Sequence, residues 1–339
     1  MITKSALTAL FCVPVICLTS MITGADTVSA PSKAIREPIY PIPHSPVQDQ
    51  DKLALGRLLF NDTRLTTEGT HACASCHHLD SGGDDGQRVS NPVGALAPRV
   101  NTPTIFNTQF NFRLNWDGSA ENVAEQLDMA IQRIGGHNGK SGWDELLARF
   151  NQDTQLVNSF KAVYSEKTIT RESFTDALVI YLESLTTPDA RFDKYLRGDE
   201  NAINDDEKRG YALFKEYGCI SCHQGMNVGG NLYQRFGIFY DYFRSRGDIQ
   251  QADYGRMNVT GESTDMHVFK VPSLRNIALT APYLHDGRSK SLRDVITVMG
   301  RTQLGFEIEE HDIEYIIKFL NTLTGDTSHI TNMNSAGQG

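Results

Sequence analysis

The stretch HACASCHH, at positions 71–78, decides how the rest of the chain is interpreted. It holds Cys73, Cys76 and His77 in the order Cys-x-x-Cys-His, which is the attachment signature of a c-type haem. Two thiols at this spacing can each form a thioether with one vinyl group of the same porphyrin, and the histidine that follows can bind the iron. The same order recurs in CISCH at positions 219–223.

The N-terminus has the composition of an export signal. Lys4 provides the positive charge, positions 6–18 are mostly apolar, and positions 23–25 offer small residues for cleavage. We therefore expect a signal peptide over 1–25 and a protein of the periplasm. An uncleaved membrane anchor is the alternative.

Cysteine usage supports two haem groups. Cys12 and Cys17 fall in the export signal, so the six cysteines of the chain leave four for the mature protein. The compartment would permit disulfides, but two attachment motifs use every remaining thiol. Zinc sites or disulfides are the alternative interpretation. The predicted ligands of two covalently bound haem c groups are Cys73, Cys76 and His77 for the first, and Cys219, Cys222 and His223 for the second.

Composition limits the class of protein. The chain has 339 residues, of which 40% are hydrophobic and 22% charged, and this is enough for two domains with buried cores. The formal net charge is −9 and lysine and arginine form no run. Both facts argue against nucleic acid or an anionic membrane surface as a partner.

The two halves of the chain show the same order of elements. The pattern GxxLF precedes the first motif at 56–60 and the second at 210–214, and an apolar helix closes each half at 177–186 and 314–323. This is the layout of a cytochrome c written twice. The expected parts are a proline-rich extended leader at 26–50, cytochrome c-like domains at 51–198 and 199–325, and a flexible tail at 326–339.

Periodicity predicts the remaining helices. Apolar residues at helical spacing place helices near 51–60, 123–134, 141–150 and 174–185. Asn204 and the acidic residues after it predict another helix start. A further helix is expected to begin at Ser291 and to close at Gly300, with Met299 at its end.

Met299 is a candidate for the second axial ligand of the haem bound by His223. A thioether ligand there would raise the potential of the iron. The alternative is a core methionine at helical spacing with Leu292, Val295 and Ile296, and spacing alone favours this alternative.

Four further stretches make the chain resemble the bacterial di-haem cytochrome c peroxidases. They are VNTPT at 100–104, NWDG at 115–118, FKVPSLRN at 269–276 and APYLHDG at 281–287. With the two haem motifs in this order, the resemblance covers almost all of 50–325. It implies a mainly α fold of two facing cytochrome c-like domains, with a peroxidatic haem in the N-terminal domain and an electron-entry haem in the C-terminal one.

The resemblance also implies roles for single residues. Met299 matches the methionine that binds the C-terminal haem iron, and Trp116 matches the tryptophan between the haems that is implicated in electron passage. Gln126 matches a glutamine of the distal pocket. The residues that match calcium ligands are Asn101, Thr280 and Pro282, which offer a side-chain oxygen and backbone carbonyls of the kind that suits calcium.

At two positions the chain departs from the pattern of this family. Members that need reductive activation carry a distal histidine where this chain has Val93. The distal glutamate of the family is replaced by Gly136, which is followed by His137. An imidazole can transfer a proton at neutral pH, so His137 is the expected substitute. A solvent-exposed loop histidine is the alternative.

The expected function is reduction of hydrogen peroxide to water, with electrons from a small cytochrome c or cupredoxin. One alternative is a MauG-like enzyme that oxidises residues of a partner protein; the missing distal histidine fits it, but Met299 argues against it. The other alternative is a di-haem electron carrier without enzymatic activity. The family resemblance also suggests a homodimer.

Overall fold

The computed structural model describes residues 37–44, 48–90, 99–135 and 142–330. Over these ranges the chain is mainly helical, as predicted. No helix within them is long and apolar enough to cross a membrane. Strand β1 (Tyr233–Arg235) pairs with the antiparallel strand β2 (Val268–Lys270). The helices are α1 (Gln50–Phe60), α2 (Val123–Gly135), α3 (Gly142–Phe150), α4 (Thr154–Tyr164), α5 (Arg171–Ser184), α6 (Arg191–Leu196), α7 (Asp205–Glu216), α8 (Tyr242–Arg246), α9 (Met257–Thr260), α10 (Leu292–Met299) and α11 (Glu310–Asn321).

Side chains at the helix starts explain where several helices begin. Asn204 precedes α7 and accepts a hydrogen bond from the Glu207 amide, while the Glu207 carboxylate accepts one from the Asn204 amide. Ser291 and Asp294 form the same capping box at α10. Such boxes satisfy amides that have no partner within the helix. Both predicted helix starts are therefore confirmed.

A glycine lies at the crossing of each of two equivalent helix pairs. A Cβ atom on Gly56 of α1 would stand 2.0 Å from the Ala177 carbonyl oxygen of α5. A Cβ atom on Gly210 of α7 would stand 1.9 Å from the Tyr315 carbonyl oxygen of α11. Only glycine permits backbones to approach this closely. The GxxLF repeat thus marks the same helix crossing in both halves.

Each helix pair contributes to a separate hydrophobic core. The first core contains Phe60 and Tyr181, and the second contains Phe214 and Phe319, all of them almost fully buried. Both cores lie in one compact unit, so the division into domains at 51–198 and 199–325 stays a prediction.

Residues near both limits of the described part of the chain are more buried than the sequence suggested. In the expected leader, Ile39 is 1% exposed, belongs to the second core and forms a parallel bridge with Gly225. In the expected flexible tail, Ile330 is 0% exposed and belongs to the first core. Ile330 thus has an apolar contact within the expected tail, and the extent of a flexible tail over 326–339 stays a prediction.

Two local expectations were wrong or incomplete. Gly300 does not close a helix; it continues α10 into a π-helical turn, Gly300–Leu304, which ends at Gly305 with φ 82°. Gly300 serves a close approach instead, because a Cβ there would stand 3.0 Å from the Phe306 carbonyl oxygen. Helix α4, which buries Leu156 and Phe160 one turn apart, was not predicted.

Candidate functional site

A cavity of about 870 Å³ connects the two Cys-x-x-Cys-His motifs. Each motif begins in a single 3-10 turn, Cys73–Ser75 and Cys219–Ser221, and the amide of the histidine that follows donates to the carbonyl oxygen of the first cysteine. Cys73 packs against the first core beside this cavity. The residues predicted to attach haem or to bind its iron that line the cavity are Cys76, His77, Cys219, Cys222, His223 and Met299.

Both motif histidines are oriented through Nδ1. His77 Nδ1 donates to the Gly83 carbonyl oxygen at 2.9 Å, and His223 Nδ1 donates to the Val228 carbonyl oxygen at 3.2 Å. Burial lowers the pKa of both imidazoles, that of His223 to about 4. At neutral pH each ring is thus neutral, with the Nε2 lone pair available to a metal. A backbone acceptor on the other nitrogen is the usual partner of a metal-binding histidine.

The four motif thiols are free, and the first cysteine of each motif, Cys73 or Cys219, packs against a hydrophobic core. Burial raises the pKa of the Cys73 and Cys219 thiols to about 12. A zinc-binding or redox-active thiol is normally surrounded by groups that stabilise the thiolate. These surroundings therefore fit thiols that are consumed in thioether bonds better than they fit the zinc alternative.

The charges around the cavity fit an apolar, anionic occupant. Among the described residues no aspartate or glutamate lines it, whereas Arg133 and Lys270 do. Most of the lining is aliphatic or aromatic, with neutral histidines at two ends. A porphyrin has a large apolar face and two propionate carboxylates, so the residues present fit two haem groups.

The two halves build their sides of the cavity from equivalent residues at a constant offset along the chain. Asn107 and Asn276 both have left-handed backbone conformation. Leu114 bridges Ala120 and Tyr283 bridges Ser289, each closing a tight loop. Helices α2 and α10 then start at equivalent positions. The loops NWDG and LHDG are therefore one structural element used twice.

This equivalence places Trp116 opposite His285 at the junction of the halves. Their ring centroids lie 6.4 Å apart in a T-shaped arrangement. The amide of Asn101 donates to the His285 carbonyl oxygen at 2.8 Å, and the equivalent amide of Lys270 donates to the Trp116 carbonyl oxygen at 2.9 Å. The halves thus exchange one backbone hydrogen bond each across a pseudo-twofold axis.

The equivalence separates the two ends of the cavity chemically. Met299 lies on α10, in the half of the chain that contains His223, and it lines the cavity. The equivalent residue of α2 is Ala130, which also lines the cavity. A methyl group cannot bind iron, whereas a thioether can. The second half therefore has a side chain capable of binding iron at this position, and the first half does not.

Comparison with known proteins identifies the family. A family model for di-haem cytochrome c peroxidase matches residues 50–201. The chain is 41% identical over 297 residues to cytochrome c peroxidase Ccp of Escherichia coli strain K12, which covers 85% of this chain and 61% of that protein. It is 39% identical over 312 residues to cytochrome c551 peroxidase of Nitrosomonas europaea, and this match covers 91% of this chain and 90% of that protein.

The chain belongs to the di-haem cytochrome c peroxidase family. The resemblance inferred from the motifs is confirmed, and the chain is an enzyme of the oxidoreductase class. A similar solved structure is that of a MauG-like protein associated with microbial copper homeostasis, with a TM-score of 0.69 and 26% identity over 87% of this chain and 94% of that one.

The structure brings most of the other residues predicted from the family resemblance to the same cavity. Trp116 lines it, and its Nε1 donates to the Asn101 carbonyl oxygen at 2.9 Å. Gln126 lines it from α2, close to Ala130. The three predicted calcium ligands Asn101, Thr280 and Pro282 also line it. Val93, Gly136 and His137 lie outside the described residues.

A cluster beside the cavity could be mistaken for a metal site. Asp253, His285 and Asp286 have ligand atoms within 4.8 Å of one another. The Arg246 guanidinium, however, pairs with both Asp253 and Asp286. Burial would raise the pKa of Asp253, but the His285 and Arg246 hydrogen bonds hold it below its ordinary range. Both carboxylates of the cluster are thus already paired with an arginine, and Asp253 holds His285 beside Trp116.

Sequence reasoning missed Ala130 and Lys270 as cavity residues. Ala130 could have been found by aligning NWDG with LHDG and counting forward to Met299. Lys270 gave no such signal, because a lysine between Phe269 and Val271 also fits an ordinary edge strand.

Proposed function

We propose that this enzyme is an exported peroxidase that reduces hydrogen peroxide to two waters with two electrons from a small cytochrome c or cupredoxin. The single observation that carries the proposal is the difference between Met299 and Ala130 at equivalent positions of α10 and α2. A peroxidase needs one iron open to substrate, whereas an electron carrier with two six-coordinate irons does not.

The proposed cofactors are two haem c groups, one in each of two cytochrome c-like domains at 51–198 and 199–325. Bound haem would supply the one-electron chemistry and the cleavage of the peroxide bond. His77 and His223 would hold the irons through Nε2, because Nδ1 of each ring already donates to a backbone carbonyl. Met299 would be the sixth ligand at the His223 end.

The residues of the open end would bind and protonate the substrate. Gln126 lines the cavity one helical turn from Ala130 and can donate a hydrogen bond to peroxide. His137 follows α2 directly in sequence, and we propose it as the acid–base group in place of the glutamate of the family. Trp116, at the junction of the halves, would carry electrons between them.

An exposed apolar patch beside Met299 supports electron entry at that end. Ile238, Phe239 and Phe306 are between 43% and 67% exposed and also line the mouth of the cavity. Small redox proteins dock through such patches with modest buried areas. The net charge of −9 favours a basic donor.

Calcium and the cellular setting complete the proposal. Asn101, Thr280 and Pro282 come from both halves and would let one calcium ion tie them together. The export signal at 1–25 supports the periplasm as the location. A homodimer is proposed on family grounds only.

Steady-state turnover tests the proposal. The purified holoprotein is mixed with reduced cytochrome c and hydrogen peroxide, and oxidation of the cytochrome is followed by absorbance. We expect two cytochromes oxidised per peroxide, with loss of turnover in His77→Ala. A protein that exchanges electrons with cytochrome c but leaves peroxide unchanged would be an electron carrier, and the proposal would be overturned.

A further inference from the structure

Lys270 is a buried cation in the lining of the cavity. It ends strand β2, is only 7% exposed and lines the cavity next to Trp116, whose carbonyl oxygen accepts from its amide. In the sequence, Lys270 lies two residues before Pro272. The carbonyl oxygen of Pro272 faces the His223 imidazole together with that of Val228. Lys270 therefore stands beside the site expected for the second haem.

The ammonium group of Lys270 forms no ion pair or hydrogen bond with any residue that the structure describes. Burial lowers its pKa to about 8, so it still carries its charge at neutral pH. A buried charge without a counter-ion is costly, by several kcal/mol after relaxation of the surroundings. An anion in the cavity would give this ammonium group the partner that the described residues do not provide.

The partner must be an anion that enters with the occupant of the cavity. Among the described residues no carboxylate lines the cavity. The position equivalent to Lys270 in the first half is Asn101, which is neutral and donates through Nδ2 to the Gln87 carbonyl oxygen. The unpaired charge is therefore present at this position in one half only.

We propose that the Lys270 ammonium binds a propionate carboxylate of the haem held by Cys219, Cys222 and His223. This inference rests on the proposed haem content of the enzyme and names one of its anchoring groups. Lys270 is thereby a positioning residue for the cofactor and a second determinant, besides Met299, of the potential at the electron-entry end. A nearby cation favours the reduced iron, which carries one positive charge less than the oxidised iron.

Redox titration of variants tests the inference. Lys270→Met removes the charge at similar length, Lys270→Arg keeps it, and Lys290→Met removes an exposed lysine as the matched control. At pH 7 we expect Lys270→Met to lower the equilibrium constant for reduction of the His223 haem at least tenfold, which is about 59 mV for one electron. Lys270→Arg and Lys290→Met should each change it less than threefold.

Two results would overturn the inference. The first is an unchanged potential of the His223 haem in Lys270→Met protein that carries two haems. The second is an equal change in Lys290→Met, which would show a general charge effect. If Lys270→Met does not retain both haems, resonance Raman spectra of wild type and Lys270→Arg decide. The propionate bending band of the His223 haem must move when guanidinium replaces ammonium, and an unmoved band excludes the contact.

These outcomes are separate from those of the proposed function. A potential that depends on Lys270 in a protein without peroxide turnover would refute the peroxidase and keep the ion pair. If the protein turns over peroxide but the potential of the His223 haem is the same in the wild type and in Lys270→Met, the ion pair is refuted and the peroxidase function stands.

Discussion

At the residue scale, the thioether of Met299 is expected to set the potential of the second haem. Met299 packs beside Phe236 and Phe269 and lines the cavity from α10, in the half of the chain that contains His223. Methionine ligation raises the haem potential relative to bis-histidine ligation. Met299→His should therefore lower that potential and slow turnover with reduced cytochrome c. Spectroelectrochemical titration of the purified holoprotein measures the shift.

The control for Met299 is Met257→His, a substitution on α9 outside the cavity lining. It should leave both potentials where they are in the wild type. If Met299→His also left them unchanged, Met299 would be the core methionine that its helical spacing with Leu292 and Ile296 suggested.

Residue chemistry was predictable where it depends on neighbours in sequence. Cys73, Cys76 and His77 were predicted from their spacing alone, and in the structure Cys76 and His77 line the cavity while Cys73 packs against the first core. Lys270 was not predictable in this way, because its lack of a partner arises from carboxylates that are missing along distant segments of the chain. Desolvation is a property of the folded surroundings rather than of the sequence next to the residue.

At the element scale, the equivalence of α2 and α10 predicts that Ala130→Met closes the open iron. A thioether at 130 would reach its haem as Met299 reaches the other. If the closed form is favoured 99 to 1, peroxide reacts about a hundredfold more slowly. Stopped-flow mixing of the oxidised protein with peroxide measures this rate, and low-spin absorption should replace high-spin absorption.

Ala124→Met is the matched control for Ala130→Met. Ala124 lies on the same helix but does not line the cavity. It should keep the peroxide rate of the wild type. An Ala130→Met protein that stays high-spin and reacts at full speed would contradict the equivalence of the two helices at the irons.

A second prediction for the elements concerns the glycine at the crossing of α7 and α11. Alanine at Gly210 gains about 1 kcal/mol in helix propensity. Its Cβ, however, would stand 1.9 Å from the Tyr315 carbonyl oxygen, so the helices must separate. Overpacking of this kind costs about 1–3 kcal/mol, which equals or exceeds that gain. Gly210→Ala should therefore unfold at lower temperature in calorimetry.

Glu216→Ala on the exposed side of α7 is the control for Gly210→Ala. It removes only a surface ion pair with Arg209, worth less than about 1 kcal/mol. A Gly210→Ala protein as stable as this control would show that the helices can move apart at little cost.

Helix positions were predictable to the extent that caps and apolar spacing fix them locally. Asn204 and Ser291 satisfy the first amides of α7 and α10, and both starts were predicted. The π-helical turn after Met299 was not predicted. Glycine is needed at position 300 because Phe306 and Ile308 pack close to its backbone, and this contact forms only in the folded chain. Glycine at a helix end predicts termination only where its backbone becomes left-handed.

At the scale of the whole molecule, one buried arginine ties distant segments to the second haem motif. Arg275 is 2% exposed and pairs with Asp193 of α6 at 2.7 Å, and Asp193 is itself 0% exposed. The same guanidinium donates to the carbonyl oxygens of Tyr40 in the leader and Met226 after the motif. The leader, helix α6 and the loop that follows the second Cys-x-x-Cys-His motif therefore meet at the Arg275 side chain.

Burial works against both members of this pair. It raises the pKa of Asp193 and lowers that of Arg275, and their mutual attraction opposes both shifts. Removing one partner leaves an uncompensated buried charge, which costs about 3–5 kcal/mol, whereas replacing both with apolar groups is often neutral. We expect Asp193→Ala to destabilise the protein strongly, and Asp193→Leu with Arg275→Met to destabilise it much less than the sum of the two single changes.

A double-mutant cycle on denaturant unfolding of the holoprotein measures this coupling. The loss of the Tyr40 and Met226 hydrogen bonds costs about 1 kcal/mol for each bond in every Arg275 variant. This cost cancels from the coupling energy, because the Arg275 single variant and the double variant share it. A coupling energy of several kcal/mol therefore reports the charge balance between Asp193 and Arg275 alone. Additive single changes would show instead that water reaches the pair, and the leader would then be held by the apolar contacts of Ile39 and Ile42 and by its backbone hydrogen bonds with Gly225.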